Sequence, residues 1–216
     1  MSKNVAAVLG LFLLLPALGF AQTTFGLKLA YPTMDALQVS APDPNVTYSI
    51  HSRVPKFGFT GELGLPAGLL LEIDGLYSHL SYVSTSTGAD AVTRSTTDIN
   101  CWDFPLLVKK PFFHGPIRPY VNGGATFRAV NQDTNIVSTS RFGTVTEARI
   151  KAPEFIHQAT EGFTTGAGFD LKIGKLHLMP EFRYTRFRQE NFSSPSGHFH
   201  SNLTQPMFVL GVERGK

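Results

Sequence analysis

The sequence has 216 residues, a length that suits one domain, and its 19 lysines and arginines nearly balance 16 aspartates and glutamates. This balance, without a clustered basic face, argues against a nucleic-acid partner. The single cysteine, Cys101, excludes an intramolecular disulfide. Eighteen phenylalanines beside a charged fraction of only 16% fit a surface that partly faces lipid.

The N-terminus has the pattern of a secretory signal peptide. A lysine precedes an apolar run at 5–15, and small residues occupy the −3 and −1 positions of a cut between Ala21 and Gln22. A transmembrane helix needs about 20 apolar residues, and this run is shorter and is followed by proline. We therefore predict a signal peptide at 1–21, cleaved on export, and a mature domain at 22–216.

Beyond the signal peptide the chain shows period-two alternation, which is typical of strands whose two faces meet different surroundings. The clearest case places Phe163 and Phe169 on one face, opposite Gly162 and Asp170 on the other. This alternation predicts eight strands, at about 23–32, 57–65, 69–82, 99–110, 118–130, 162–173, 175–188 and 203–214.

The connections alternate between short and long. Short turns lie at 66–68, at 111–115 and around Gly174. The four long connections are rich in Ser, Thr, Asn, Asp and Pro, and they lie at 33–56, 83–98, 131–160 and 189–202. Short periplasmic turns, long extracellular loops and an even strand number are typical of outer-membrane barrels. We predict an all-β fold, a closed antiparallel transmembrane β-barrel with both termini in the periplasm.

The polar stripe of the strands is rich in glycine and small residues, which suits the narrow interior of an eight-stranded barrel. Aromatic residues gather near strand ends, as in the aromatic girdles of membrane barrels. We therefore predict that the apolar stripe faces lipid, with Phe59, Trp102, Phe104, Phe127, Phe169, Phe182 and Tyr184 outward. A soluble lipocalin-like periplasmic barrel, with the apolar stripe inward, is the alternative arrangement.

Isolated charges recur on the predicted inner face. Buried charges must be paired, because an uncompensated one costs several kcal/mol. The alternative interpretation is an ion or proton path. We predict a structural salt-bridge network that plugs the lumen, formed by Lys28, Glu62, Glu72, Asp74, Asp103, Lys109, Arg128, Asp170, Lys172, Glu181 and Arg183.

Two motifs carry a family resemblance. They are Asp-Phe-Pro-Leu-Leu-Val-Lys-Lys at 103–110 and Ile-Arg-Pro-Tyr-Val-Asn-Gly-Gly at 117–124, and the segments 166–171 and 180–184 look like the following hairpin. This stretch resembles the PorT-like outer-membrane β-barrel family, of the OmpA/OmpX type. The resemblance implies an outer-membrane location, contact with outer-membrane lipid, and insertion by the barrel-assembly machinery. It does not imply an activity.

Residues with catalytic or metal-binding chemistry are few. His198 and His200 share a face of an extended segment but have no third ligand nearby in sequence. His200-Ser201 is similar to part of the site of lipid A deacylases, although their His-x-Ser-Asn spacing is absent. We predict no enzyme, cofactor or metal, and a structural or surface-interaction role through the loops, whose ligand is unknown. An outer-membrane lipid-modifying enzyme is the alternative.

Overall fold

The computed structural model describes residues 23–41 and 45–214. The predicted signal peptide and its cleavage site lie outside these residues. The described part contains twelve strands: β1 (Thr23–Pro32), β2 (Leu37–Val39), β3 (Val46–His51), β4 (Lys56–Leu65), β5 (Leu69–Thr87), β6 (Ala91–Pro111), β7 (Ile117–Ser140), β8 (Val145–Ile150), β9 (Ala159–Ile173), β10 (Leu176–Phe187), β11 (Phe199–Ser201) and β12 (Thr204–Arg214). Over the described ranges, no helix is long and apolar enough to cross a membrane.

Eight strands form a closed ring in the order β1, β4, β5, β6, β7, β9, β10 and β12, and each is antiparallel to both neighbours. The ring closes between the first and last strands, where Phe25 faces Arg214 and Pro32 faces Met207. The predicted eight-stranded antiparallel barrel is confirmed. The end with the short turns is called the periplasmic end below, and the opposite end the outer end, as in barrels of this type.

The apolar stripe faces outward. On β1, Phe25 and Leu27 are 72% and 71% exposed, whereas Lys28 and Ala30 are 3% and 0% exposed. The burial pattern alternates in the same way along β10 and β12. An apolar exterior favours lipid as its surroundings. The arrangement is the inverse of a lipocalin-like barrel, in which the apolar stripe faces inward.

Aromatic side chains cluster in a band on the barrel exterior. Phe57, Tyr77 and Trp102 are register neighbours on β4, β5 and β6, with ring centroids 5.5 and 5.2 Å apart. Below them the Phe59 ring covers Gly75, where it fills the place a side chain would take. An aromatic ring over a strand glycine restores packing that the glycine lacks.

The periplasmic turns are tight because their residues adopt left-handed backbone. Ala67 and Gly68 have φ values of 63° and 68° in the 3-10 turn Pro66–Gly68 between β4 and β5. Gly174, between β9 and β10, has a φ of 65°. Glycine adopts this conformation without steric cost, so it allows the two-residue hairpin.

Three central strands continue well past the barrel wall at the outer end. β5, β6 and β7 have 19, 21 and 24 residues, although about 9–11 residues span a membrane. β3 pairs with β5, and β8 pairs with β7, so five strands form an outer sheet. The strands predicted at 69–82, 99–110 and 118–130 are therefore too short, since much of 83–98 and 131–160 is strand.

Hydroxyl pairs explain why these polar segments are strands. Thr97 lies 2.9 Å from Thr134 across β6 and β7, and Thr93 lies 3.1 Å from Ser138, each measured between side-chain oxygens. Threonine is β-branched and favours extended backbone, and cross-strand hydroxyl pairs stabilise a sheet. A composition rich in Ser and Thr was interpreted as loop, but here it builds a sheet that faces water.

Candidate functional site

The seven residues predicted to face lipid all point out of the barrel. Their exposed fractions range from 36% for Tyr184 to 53% for Phe59. Phe182 packs edge-on against Phe208 of the neighbouring strand, with centroids 5.3 Å apart. These side chains thus form an outer apolar coat, while the chemistry of the protein lies in its interior and at its two ends.

Five charged side chains form the central cluster of the lumen. Lys28 Nζ lies 2.6 Å from a Glu72 oxygen and 3.0 Å from an Asp74 oxygen. Arg183 reaches the same two carboxylates, each at 2.8 Å, and also Glu181 at 2.7 Å. All five side chains are at most 1% exposed. Two cations thus pair with three carboxylates that β5 and β10 bring together.

A second cluster lies toward the periplasmic end. Lys109 Nζ is 2.5 Å from a Glu62 oxygen and 3.7 Å from a Glu72 oxygen, which links it to the central cluster. The same ammonium lies 3.9 Å from the centroid of the Tyr120 ring, a cation–π contact. Glu213, on β12, accepts a hydrogen bond of 2.6 Å from the Thr24 hydroxyl.

A third cluster lies toward the outer end. Asp103 receives Lys56 Nζ at 2.5 Å and two nitrogens of Arg128 at 2.6 and 2.9 Å. The Gln205 side-chain oxygen accepts from both cations, at 3.1 and 2.8 Å. The Arg128 guanidinium also lies 3.8 Å from the Phe187 ring centroid. One carboxylate thus holds two cations, with an amide oxygen as the further acceptor.

An apolar group accompanies these ion clusters inside the barrel. Ala30, Leu76, Met207 and Val209 pack together, and each is at most 3% exposed. The alternation of β5 was unclear at Leu76 in the sequence, yet Leu76 continues the inward row that Glu72 and Asp74 begin. Packed apolar atoms leave little room for water beside the charged clusters.

Ten of the eleven predicted lumen residues are buried in the barrel, and Lys172 is the exception. Lys172 is on the same face of β9 as Asp170, but it lies two residues nearer the periplasmic end. There its backbone N–H donates to the carbonyl oxygen of Pro116 in the periplasmic turn. Its side chain is exposed, so the prediction is wrong for this residue. Asp170 does not join the main clusters either, since its partners are Arg118 and His177.

Two buried charges were missed. Lys56 lies at the first position of β4, in the same stripe as Gly58 and Thr60, but the predicted strand began one residue later. Glu213 follows Gly211 on the inner face of β12, a strand that looked apolar on both sides. In both cases the period-two pattern, extended by one step, gives the correct face.

The outer mouth is covered by an aromatic group that we call the outer cap, formed by Tyr48, Tyr82, Phe155, Phe192 and Phe199. The Tyr48 and Phe199 rings stack with centroids 4.7 Å apart, and Tyr82 lies 4.7 Å from Phe199. Phe192 and Phe199 come from the connection between β10 and β12, which reaches across to pair β11 with β2. The long connections therefore fold inward over the barrel.

A carboxylate ties the cap to one more of the long connections. Tyr82 donates to Glu154 at 3.1 Å, and Tyr48 donates to the other oxygen at 3.5 Å. Glu154 belongs to the connection between β8 and β9. Hydrogen bonds to a charged acceptor are stronger than neutral ones, so this carboxylate fastens a third connection over the mouth.

The histidine and serine of the possible enzyme site do not meet. His200 lies 3.4 Å from the Ser40 hydroxyl and 2.8 Å from Gln38, whereas Ser201 is buried and accepts a backbone hydrogen bond from Phe192. Alternation in β11 sends His200 and Ser201 to opposite faces. In the part of the chain that the structure describes, no three His, Cys, Asp or Glu residues are grouped to hold a metal.

A closed ring of eight antiparallel strands, apolar outside and charged inside, is the fold of the small outer-membrane β-barrels. No family model matches the chain, and no curated protein matches it. Among solved structures, the chain is similar to Neisserial surface protein A, with a TM-score of 0.47 and 12% identity over 92% of this chain and 99% of that one.

Two further structures have the same likeness. One is the outer membrane protein OprG from Pseudomonas aeruginosa, with a TM-score of 0.44 and 10% identity over 89% of this chain and 93% of that one. The other is Ail, the attachment invasion locus protein of Yersinia pestis, in complex with the heparin analogue sucrose octasulfate. Its TM-score is 0.38, with 9% identity over 89% of this chain and 96% of that one.

Proposed function

We propose that this protein is a PorT-like outer-membrane barrel that passes no solutes and acts at the cell surface through its outer sheet and loops. The observation that carries the proposal is the interior itself. Three clusters of buried ions, two of them linked through Lys109, and an apolar group occupy the lumen, and the outer cap lies over its mouth. A solute would have to displace these side chains, because eight strands enclose only enough space for side chains.

The ion pairs make displacement costly. Arg183 alone contacts three carboxylates from two strands, and Lys109 links the central cluster to the periplasmic one. Breaking a buried pair leaves an uncompensated charge, at a cost of about 3–5 kcal/mol. A transport path through this interior would therefore need coordinated rearrangement on several strands, which favours a static plug over a channel.

The outer sheet supplies the surface for interaction. All six residues of β8 are exposed, and the tip of the β7–β8 hairpin presents Phe142 at 94% exposure. An exposed aromatic residue on a rigid hairpin is a common anchor at protein interfaces. The catalytic candidates on β11, His200 and Ser201, point to opposite faces. We therefore infer a binding role and no enzyme activity. The ligand of the loops is then a partner at the cell surface.

Conductance tests the plug directly. We expect purified wild-type protein in a planar lipid bilayer to give no stable, large conductance, because charged and apolar side chains fill the lumen. A variant that removes the outer cap, Phe199→Ala with Phe192→Ala, is expected to stay closed as well, since the ion clusters lie beneath it. A stable, weakly selective open pore from the wild type would refute the proposal.

Export is the other part of the proposal. We infer that the signal peptide is cleaved between Ala21 and Gln22, and that the barrel-assembly machinery then inserts the mature chain among outer-membrane lipids. Intact-mass spectrometry of protein purified from cell envelopes is expected to give a chain that begins at Gln22. A chain that still begins at Met1 in the membrane fraction would contradict the export step.

A further inference from the structure

A pocket of about 630 Å³ lies at the periplasmic end, between the β6–β7 and β9–β10 turns. Its ionisable lining residues are His114, Arg118, Lys172 and His177. All four are basic side-chain types, and none is a carboxylate. The pocket contains Lys172, the one predicted lumen residue that the barrel interior does not hold.

A single buried carboxylate orients two of these groups. Asp170 receives Arg118 on one oxygen and His177 Nδ1, at 2.7 Å, on the other. Both of its oxygens are therefore occupied. A carboxylate behind a binding group fixes its orientation, so the remaining Arg118 donors and the His177 Nε2 atom are held in place beside the pocket.

The other two groups have no partner among the described residues. No ion pair or side-chain hydrogen bond involves Lys172 or His114, and both are exposed. The Lys172 ammonium therefore has its three donors available for a ligand. A phosphate oxygen is the natural acceptor for an ammonium and an arginine that converge on one space.

The charge distribution around this end points the same way. In the described chain, the exposed ionisable side chains at the periplasmic turns and strand ends are all basic: His114, Lys172, Lys175 and Arg214. The acids of this end, Glu62, Asp170 and Glu213, are buried. An anion approaching from this side meets basic side chains, and no surface carboxylate among the described residues of this end competes with it.

We propose that this pocket binds a phosphate group, presented either by an anionic phospholipid headgroup of the inner leaflet or by a soluble phosphate of the periplasm. Lys172 and Arg118 contact the phosphate oxygens, and Asp170 acts as a positioning residue that holds Arg118 and His177. Basic pockets at a membrane surface bind anionic headgroups in this way. The site lies at the opposite end from the outer sheet, so it is separate from the surface role.

The test uses the whole mature protein and two probes. Inorganic phosphate is titrated into detergent-solubilised protein by calorimetry. In parallel, protein is placed in nanodiscs of phosphatidylcholine with or without phosphatidylglycerol, and the retained lipid is counted by mass spectrometry. Lys172→Gln is the test variant, and Lys172→Arg keeps the charge. Lys175→Gln is the matched control, because Lys175 is exposed in the adjacent β9–β10 turn but does not line the pocket.

We expect Lys172→Gln to weaken phosphate binding about tenfold, as loss of one charge-assisted contact would. Lys172→Arg should bind as the wild type does, and so should Lys175→Gln. If Lys172→Gln also loses retained phosphatidylglycerol, the source is the lipid headgroup. If only phosphate binding falls, the source is a soluble phosphate.

The site does not exist if the wild type binds neither probe, or if Lys175→Gln weakens binding as much as Lys172→Gln does. In the second case the charge of the rim, and not the pocket, would hold the anion. Gel migration of unboiled samples shows whether each variant is folded, and Lys172→Gln should migrate as the wild type does because Lys172 makes no side-chain ion pair within the described residues.

Discussion

Replacing Arg183 by alanine is expected to lower the free energy of unfolding by about 3–5 kcal/mol, the cost of leaving buried charge uncompensated. The guanidinium is 1% exposed and contacts Glu72, Asp74 and Glu181. Without it, only Lys28, beside Glu72 and Asp74, and the more distant Lys109, beside Glu72, would remain to balance three carboxylates in the middle of the barrel. Urea unfolding of the protein in phospholipid vesicles, followed by tryptophan fluorescence of Trp102, measures the change.

Arg186→Ala is the matched control for this experiment. Arg186 lies on the same strand, three residues further, and its side chain is exposed on the outer surface. We expect a loss of less than about 1 kcal/mol, as for other exposed charges. Arg183→Met preserves most of the volume, so it separates lost charge from lost packing. If Arg183→Ala and Arg186→Ala had equal effects, the central cluster would contribute no net stability.

The barrel strands could be predicted from the sequence because each one separates two surroundings. Lipid outside and a packed polar interior impose a strict period of two, as on β9, where Phe163 and Phe169 are exposed and Thr164 and Asp170 are buried. The short turns add a second signal. The pattern therefore gives strand number, order and facing, since in an up-and-down barrel consecutive strands are neighbours.

The outer sheet could not be predicted because it has no such contrast. Both of its faces meet water or polar neighbours over much of their length, so Thr93 and Thr97 show no apolar alternation. Its strands are fixed by cross-strand hydroxyl pairs, by the β7–β8 hairpin and by the pairing of β3 with β5, which is a long-range contact. The outer cap could not be predicted either, since it brings together Tyr48, Glu154 and Phe199 from three separate connections.

The sequence predicts which charged side chains face the interior, but it does not predict which of them pair with each other. Alternation sends Asp103 and Arg128 inward, yet only strand stagger places them side by side on β6 and β7. Height along the barrel also decides which inward residues are enclosed. Lys172 has the correct facing, but it lies beyond the last interior position of β9. The same stagger that excludes Lys172 from the lumen brings it to the periplasmic pocket.

The two ends of the barrel differ in a way that follows from these positions. The outer end is closed by aromatic rings and extended by a sheet, whereas the periplasmic end is short and basic. Between the two ends, the ion clusters take residues from every strand of the ring except β9, which pairs with two strands that do contribute. A buried network of charges makes a structure rigid when all its members are paired. The barrel that carries the outer sheet is therefore expected to deform little.

Placing arginine on the lipid-facing side, as Phe182→Arg, is expected to cost about 2–4 kcal/mol near the bilayer midplane. Phe182 lies in the middle of β10, is 46% exposed and packs against Phe208. The comparison is with Phe182→Ala, because alanine removes the aromatic contact without adding charge. Urea unfolding in vesicles gives both values, and their difference isolates the cost of a charge in hydrocarbon.

Phe142→Arg is the control for this last experiment, since Phe142 is exposed at the hairpin tip of the outer sheet. Its surroundings are water in the membrane-inserted protein, so arginine there should change the free energy of unfolding by less than about 0.5 kcal/mol. In a soluble barrel the exposed parts of both phenylalanines would face water, and both arginines would be tolerated. A cost of Phe182→Arg well above that of Phe182→Ala, with no effect at Phe142, indicates that the belt around β10 is in contact with lipid.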